Sequence, residues 1–473
     1  MKRWSRHLFA ASLLAASFMA HGQDGSARTP AAAPTAAQIG TYAQRLLDEQ
    51  KLATDGPGVV ILVARGDQLL YQGARGMASV ELGVPMKADQ SFRIGSVTKQ
   101  YAAATLLKLI DQGRAKLDDP LSKYVPGFPN GENITLLQLL NHTSGVKSYT
   151  GIPNYMRNPI RRDLSTQALI DEFKNLPVDF KPGERWAYNN SGYVLVGAVI
   201  EAITGKAWYL AAQELVLAPN GLTKTVYPGE QRVIPGMVEG YSLDPATGNL
   251  ATAGLLSMTQ PHAAGALVAN AQDLWRWNLA LHGGKVLSPA LYRRMTTPEG
   301  PAQASGYGFG ITAGTLRGQP RLDHGGGING FVSSLAYFPQ SGLTVVMLRN
   351  SDAPGFNVSL AARKLAAFAV GQPYADVVPV TLTEAQLKTF AGNYKLSTDE
   401  KSQRELAVQD GGLRWVRQGR APLVLVPTGP DSLAIDGSVG IAKVERGADG
   451  MVVAVVFFPQ GGEPGETGER WIR

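Results

Sequence analysis

Phe92-Arg93-Ile94-Gly95-Ser96-Val97-Thr98-Lys99 is the stretch on which the reading of this chain turns. Behind it Ala103, Leu106, Leu107 and Ile110 recur at i, i+3, i+4 and i+7, the spacing of one buried helix face, and Gly113 supplies a C-terminal cap. Ser96 and Lys99 stand one turn apart and share a face. Lys99 to Ala103 is i, i+4, so that face runs into the buried stripe. A lysine in water has a pKa of about 10.4. Burial disfavours the charged form, and a neutral amine beside a hydroxyl makes a serine nucleophile without histidine. The bland alternative is an N-capping serine and a solvated first-turn lysine. The spacing alone is weak, and it recurs at Ser144-Gly145-Val146-Lys147. That copy runs into the turn composition Ser148-Tyr149-Thr150-Gly151, so its two side chains are not expected to share a helix face.

The chain has 473 residues, 44% of them apolar and 18% charged, which fits a globular protein of two or three domains. Met1 to His7 is basic, Leu8 to Ala20 is apolar, and small residues precede a cut after Gly22. Residues 1–22 therefore read as a secretory signal peptide, and the expected location is the periplasm or outside the cell. The apolar run is too short to span a bilayer. There is no cysteine, which excludes disulfides, a thiol nucleophile, thiolate metal sites and a lipoprotein anchor. The formal charge is +7, or +4 without Lys2, Arg3 and Arg6, and the basic residues are scattered. That is no nucleic-acid footprint, and the mature chain is expected to carry no membrane anchor.

Residues 36–51 read as a helix, and 58–64 with 68–72 as a hairpin around Arg65-Gly66-Asp67. The Ser96 helix follows, then a long stretch of helices and Pro- and Gly-rich connections to about residue 320. Within it, Tyr193 to Ile203 is apolar on nearly all sides, the mark of a buried helix, and ends at Gly205. Residues 331–338 and 343–349 form a second hairpin, and 358–369 a helix. The order predicts an α+β fold: an antiparallel sheet flanked by helices, with a helical lobe inserted between the sheet halves. Composition changes near residue 375. After a short helix at 384–390, seven short strand-like runs between 406 and 472 suggest a small antiparallel barrel or a sandwich. The expected division is a main domain at 35–372 and a barrel at 380–473.

Two further clusters carry chemistry. Tyr188-Asn189-Asn190 lies at the mouth of the apolar helix. A phenol there can accept or relay the serine's proton if a nearby cation lowers its pKa, and Lys99 is the candidate cation. Asn190 can bond both the lysine and a substrate amide. The competing reading is a core tyrosine beside a capping asparagine. His324-Gly325-Gly326-Gly327 opens a strand, and such glycines mark close backbone approach. A backbone N–H here, with that of Ser96, would make an oxyanion hole. The competing reading is a flexible loop with a surface histidine. His142, His262 and His282 form no metal spacing with His324, and His142 reads as structural. Gly240-Tyr241-Ser242-Leu243-Asp244 misses the nucleophile-elbow pattern by its last glycine, and no phosphate loop is present.

Ser96-x-x-Lys99, Tyr188-x-Asn190 and His324-x-Gly326, in this order, resemble the motifs of the serine β-lactamase and penicillin-binding protein superfamily. The nearest likeness is to its class C β-lactamase, D-alanyl-D-alanine carboxypeptidase, D-aminopeptidase and esterase branch. Phe92-Arg93-Ile94-Gly95, Leu139 to Gly145 and Tyr307-Gly308-Phe309-Gly310 agree with it. The tail resembles the lipocalin-like barrel that follows such domains in some members. The resemblance implies that Ser96 forms an acyl-enzyme, Lys99 is its base, and Tyr188 shuttles the proton. Asn190 and His324 would bind substrate with Gly326, Gly327 would give the second oxyanion N–H, and no metal or organic cofactor would be needed.

The third motif departs from the family's usual Lys-Thr-Gly, which binds a substrate carboxylate. Here it is His324-Gly325-Gly326, with no fixed ammonium and no hydroxyl. The expectation is an exported hydrolase of small esters or peptide-like amides. A second reading is a carboxypeptidase or β-lactamase acting on cell-wall peptides or β-lactams. A third is a non-hydrolytic penicillin-binding sensor, or a binding protein whose barrel carries a ligand. The sequence leaves the oligomeric state open.

Overall fold

The computed structural model describes residues 33–229 and 233–473; the expected signal at 1–22 lies outside them. Helix α1 (Ala36–Glu49) is capped by Thr35, whose side chain accepts from the Gln38 N–H in a capping box. Strands β1 (Val59–Arg65) and β2 (Gln68–Arg75) form the expected hairpin. A 3₁₀ turn at Gly95–Val97 leads into α2 (Thr98–Asp111). The insert carries α3 (Asn190–Thr204) and α4 (Ala271–His282). Strands β3 (Thr312–Leu316), β4 (Gln319–Ile328), β5 (Phe331–Phe338) and β6 (Leu343–Arg349) then complete a six-stranded sheet in the order β2-β1-β6-β5-β4-β3. The first and last hairpins meet where β1 pairs antiparallel with β6, Val60 opposite Leu348. The long insert therefore leaves from one half of the sheet and returns to the other.

Both central strands are buried on both faces, as their unbroken runs of Val, Leu and Ile require. Val60, Leu62, Leu335, Val346 and Leu348 face a large core shared with α2 and α3. Val59, Ile61, Val63, Val345 and Met347 face a second core with α1 and α5 (Val358–Ala369). The single buried stripe expected for α2 falls short of what the fold does. Gln100, Tyr101, Ala102, Ala104 and Thr105 are buried as well, because α2 is covered on more than one side, by α3 and by Trp277 of α4, which stacks on Tyr101 and donates to Gln100 Oε1. Helix α3 is buried through Ser191 to Ile200 and stops at Gly205, which takes a left-handed φ of 68°. Among the described residues no single helix is long and apolar enough to cross a membrane.

The C-terminal strands close into an eight-stranded antiparallel barrel, which resolves the barrel-or-sandwich alternative. Its first strand, β7 (Gly392–Leu396), was not expected from sequence; it closes the barrel by pairing with the last strand, Glu469–Ile472, Lys395 opposite Ile472. Rings fill the interior: Trp415 lies 4.7 Å from Phe457, 5.5 Å from Trp471 and 5.6 Å from Tyr394, centroid to centroid. The space that a ligand-carrying barrel would keep open is occupied here by side chains. The barrel and the segment leading into it meet the α1 and α5 side of the main sheet through polar contacts. Arg363 donates to Tyr374 Oη at 2.7 Å and to Glu463 Oε1 at 3.3 Å, and Arg45 pairs with Asp376 at 2.9 Å.

Asn350, fully buried just beyond β6, ties the sheet to the chain around the insert. Its Oδ1 accepts from Gly58 N–H at 2.7 Å, and its Nδ2 donates to Glu239 O at 2.8 Å and Met77 O at 3.1 Å. Asn350→Ala leaves the buried Gly58 N–H without its acceptor and two partly buried carbonyls without this donor, and is expected to lower stability by about 1–3 kcal/mol. A urea titration should show the midpoint falling with the slope unchanged; an unmoved midpoint would show that these bonds are not holding the junction.

Candidate active site

The 3₁₀ turn at the head of α2 sets Ser96 beside Lys99, with Nζ 3.1 Å from Ser96 Oγ. Lys99 has no exposed surface. Its Nζ lies 2.9 Å from Asn190 Oδ1 and 2.8 Å from Ala264 O, with no carboxylate among these contacts. Burial holds the amine well below its ordinary pKa. Asn190 is the first residue of α3, and Asn189 caps that helix by accepting from Gly192 N–H. Asn190 is oriented by donating from Nδ2 to Thr150 Oγ1 at 3.1 Å, which leaves Oδ1 for the lysine.

Tyr188 donates its O–H to Ser96 Oγ at 2.7 Å. The ring is 40% exposed, so it is not the core tyrosine of the competing reading. The expectation that a cationic Lys99 lowers its pKa is overturned. Desolvation at the hydroxyl end raises the phenol above its ordinary value, and the buried lysine does not offset it. Lys99 and Tyr188 thus both reach Ser96 Oγ while Asn190 holds the amine, and burial favours the uncharged form of amine and phenol alike.

His324 and its glycines lie inside β4 rather than at its start. The histidine is 7% exposed and both ring nitrogens are engaged, Nε2 with Tyr307 Oη at 2.9 Å and Nδ1 with Gly325 O at 2.6 Å. Since Gly325 O can only accept, Nδ1 carries the hydrogen and Tyr307 donates to Nε2. Burial, with Lys99 adding, pushes this histidine down to about 4, so it is neutral above that pH. It is neither the loop histidine of the competing reading nor a side chain lining the cleft. Gly326 is where β4 meets the nucleophile's strand: a Cβ there would overlap Ile94 O and Ser333 Oγ. Ser333 Oγ donates to the same Ile94 O at 2.8 Å. The backbone of Gly327 reaches Gly95, and Gly327 lines the cleft with Ser96 and Asn190.

The cleft has a volume of about 190 Å³. Three residues that position the site had no signal of their own in the sequence. Ala264 contributes only its carbonyl, Thr150 only its hydroxyl, and Tyr307 stood in a quoted motif without a role. His142 is buried as expected, takes the Asn189 N–H on Nδ1 at 3.3 Å and lies 4.5 Å from the Tyr188 ring. The second S-x-x-K is not a site: Lys147 pairs with Asp179 at 2.7 Å and residues 145–148 are not helical. Among the described residues no group of three or more His, Asp or Glu is placed to hold a metal ion.

The family model described as Beta-lactamase matches residues 43–370, and the chain belongs to that family. A D-aminopeptidase of Gluconobacter oxydans is 26% identical over 324 residues, 67% of this chain and 60% of that protein. The esterase EstB of Burkholderia gladioli is 34% identical over 205 residues, 40% of this chain and 51% of that protein. This chain therefore spans less than two thirds of the length of either relative. The octameric penicillin-binding protein homologue of Pyrococcus abyssi superposes with a TM-score of 0.64 at 23% identity, covering 92% of this chain and 99% of that one. That likeness is one of fold, and at 92% it extends into the C-terminal region that forms the barrel.

Gly326→Ala and Gly325→Ala separate close approach from ordinary space. The first forces β4 away from Ile94 and is expected to lower kcat/KM by about 10²-fold, the usual consequence of a misplacement near 1 Å. At Gly325 a Cβ would meet only Ser333 O at 3.6 Å, and activity should stay close to wild type. Equal losses in the two variants would contradict this assignment.

Proposed function

We propose that the chain is an exported serine hydrolase that cleaves small esters or peptide-like amides through an acyl-enzyme on Ser96. The observation that carries this reading is the set of partners around Lys99. A neutral amine has two N–H bonds and one lone pair. Asn190 Oδ1 and Ala264 O accept the two N–H bonds, so the lone pair is left for Ser96 O–H. Ser96 Oγ meanwhile accepts from Tyr188. With the amine free, the nucleophile's proton can point at its base.

In this reading Ser96 Oγ attacks the substrate carbonyl carbon as its proton passes to Lys99 Nζ. The charge that develops on the carbonyl oxygen meets the backbone N–H groups of Ser96 and Gly327. The bond to the leaving oxygen or nitrogen breaks, and that atom takes up the proton held by Lys99, relayed through the Tyr188 hydroxyl. Water then loses a proton to Nζ and adds to the acyl carbon. The acyl–Oγ bond breaks, the acid departs, and Ser96 regains its proton. The names of the D-aminopeptidase and esterase relatives support the bond types. The basic, apolar, small-residue pattern at 1–22 supports export.

Intact-mass spectrometry with p-nitrophenyl esters tests the nucleophile. Wild type should gain and lose one acyl group, while Ser96→Ala should form no adduct and lose activity by roughly 10⁴-fold or more. Retained activity in Ser96→Ala would sink the proposal. A lasting adduct without turnover would favour the sensor reading, and β-lactam hydrolysis rivalling that of esters would favour the β-lactamase reading.

The pH profile tests the base. The working form is the free amine and burial depresses its pKa, so activity is full at neutral pH and falls as pH drops through that depressed value. An acid limb centred near the ordinary lysine value of about 10.4 would show that Lys99 is not desolvated as described.

A further inference from the structure

The cleft above Ser96 contains no fixed charge, and that selects among substrates. None of the residues lining it is acidic or basic. Its walls are apolar: Met156 and Ile160 from the inserted lobe, Leu256 and Pro261 from the segment before Ala264, and Ile328 at the end of β4.

The charged groups on neighbouring segments do not line it: Arg157 and Arg161, beside Met156 and Ile160, are exposed at the surface, and others are engaged elsewhere. Asp163 accepts from Ser257 Oγ at 2.5 Å, Asp352 accepts from Gly330 N–H at 2.8 Å, and Arg162 pairs with Glu172 at 2.9 Å. His324 is tied to Tyr307 and Gly325, and Lys99 is saturated behind the nucleophile. Several polar lining groups are also spoken for. Tyr149 donates to Gln260 O at 2.7 Å, Thr150 accepts from Asn190, and Asn329 donates to Gly254 O at 3.2 Å.

A substrate ammonium or carboxylate entering this cleft would give up water and find no counter-ion among the residues that line it. Desolvating a charge without a partner is among the costliest events in a protein site. An apolar acyl chain, in contrast, gains by burial against these walls.

We propose that, granted Ser96 as the nucleophile, the preferred substrate is an uncharged ester or amide with an apolar acyl group, bearing neither a free α-ammonium nor a carboxylate beside the scissile bond. This separates the chain from an aminopeptidase, which needs an anionic partner for the amine. It equally separates it from a carboxypeptidase, which needs a cationic partner for the carboxylate. Met156, 45% exposed at the rim, is a specificity-determining position.

The test uses substrate pairs whose members are charged and neutral forms of one scaffold. D-alanine p-nitroanilide is compared with its N-acetyl derivative, and an N-acyl-D-alanyl-D-alanine with its methyl ester cleaved at the same amide bond. The neutral member of each pair should be favoured about 10- to 100-fold in kcat/KM, the cost of leaving a buried polar group unpaired. Across p-nitrophenyl acetate, butyrate and hexanoate, kcat/KM should rise by up to about fourfold per methylene until the cleft is full. Met156→Asp places a carboxylate at an exposed rim position and should shrink the preference against the free-ammonium anilide.

Faster cleavage of the charged member of either pair by wild type, with Ser96→Ala inactive, overturns the charge selection and leaves the nucleophile standing. Cleavage of any of these substrates by Ser96→Ala, or no acyl adduct on wild type with any of them, overturns the nucleophile itself.

Discussion

The site depends on one desolvated amine. Lys99 is completely buried, and its contacts are a hydroxyl and two carbonyl oxygens rather than a carboxylate. Had the fold supplied an acidic partner, the ammonium would have been stabilised and the lone pair lost. The surrounding machinery follows from keeping it uncharged. Asn190 offers an oxygen because Thr150 takes its amide donor, and small residues at Ala263 to Gly265 let a backbone carbonyl come within 2.8 Å of Nζ. Tyr188 and His324, whose rings lie near that amine, are themselves held neutral by desolvation.

Around this amine the structure is a problem of close approach. The nucleophile's turn, the oxyanion strand and the loop after Tyr307 all reach one small volume from distant parts of the chain. At Gly326, β4 presses on Ile94, and at Gly310 a Cβ would lie 2.8 Å from the backbone of Lys99. These glycines are contact points whose spacing in sequence says nothing about what they touch. The barrel stands apart from this packing. It meets α5 through Glu463 and Arg363, the segment leading into it meets α1 through Asp376 and Arg45, and its own interior is closed by aromatic rings.

Most of the secondary structure was legible because the relevant signals are local. The hairpins at 59–75 and 331–349 announce themselves by continuous β-branched and apolar runs around turn residues, and α3 by its all-round apolarity. What was missed has a common cause. β3, Thr312-Ala313-Gly314-Thr315-Leu316, is an edge strand, and β7, Gly392-Asn393-Tyr394-Lys395-Leu396, is only half buried. Neither needs a strong apolar pattern, because pairing with a neighbour holds it in place. Likewise the sequence marked one stripe on α2, since periodicity reveals the first face a helix buries but not that a second layer will cover the other.

The sequence by itself singled out the residues that the structure brings together around Ser96. Ser96 and Lys99 are one helical turn apart, and a turn is a local geometry that no tertiary contact is needed to define. Tyr188, Asn190 and the glycines of β4 were recognisable as partners by their residue types. Only the tertiary structure decided their charge states and the cleft's character. A pKa depends on how much water a fold removes and on which charges it brings near, and both are sums over residues far apart in the chain. That is why the phenol expected to be lowered is raised, and why the histidine expected at a strand's mouth lies buried and neutral inside it. It is also why a cleft assembled from the lobe, the segment before Ala264 and the end of β4 is lined by no acidic or basic side chain.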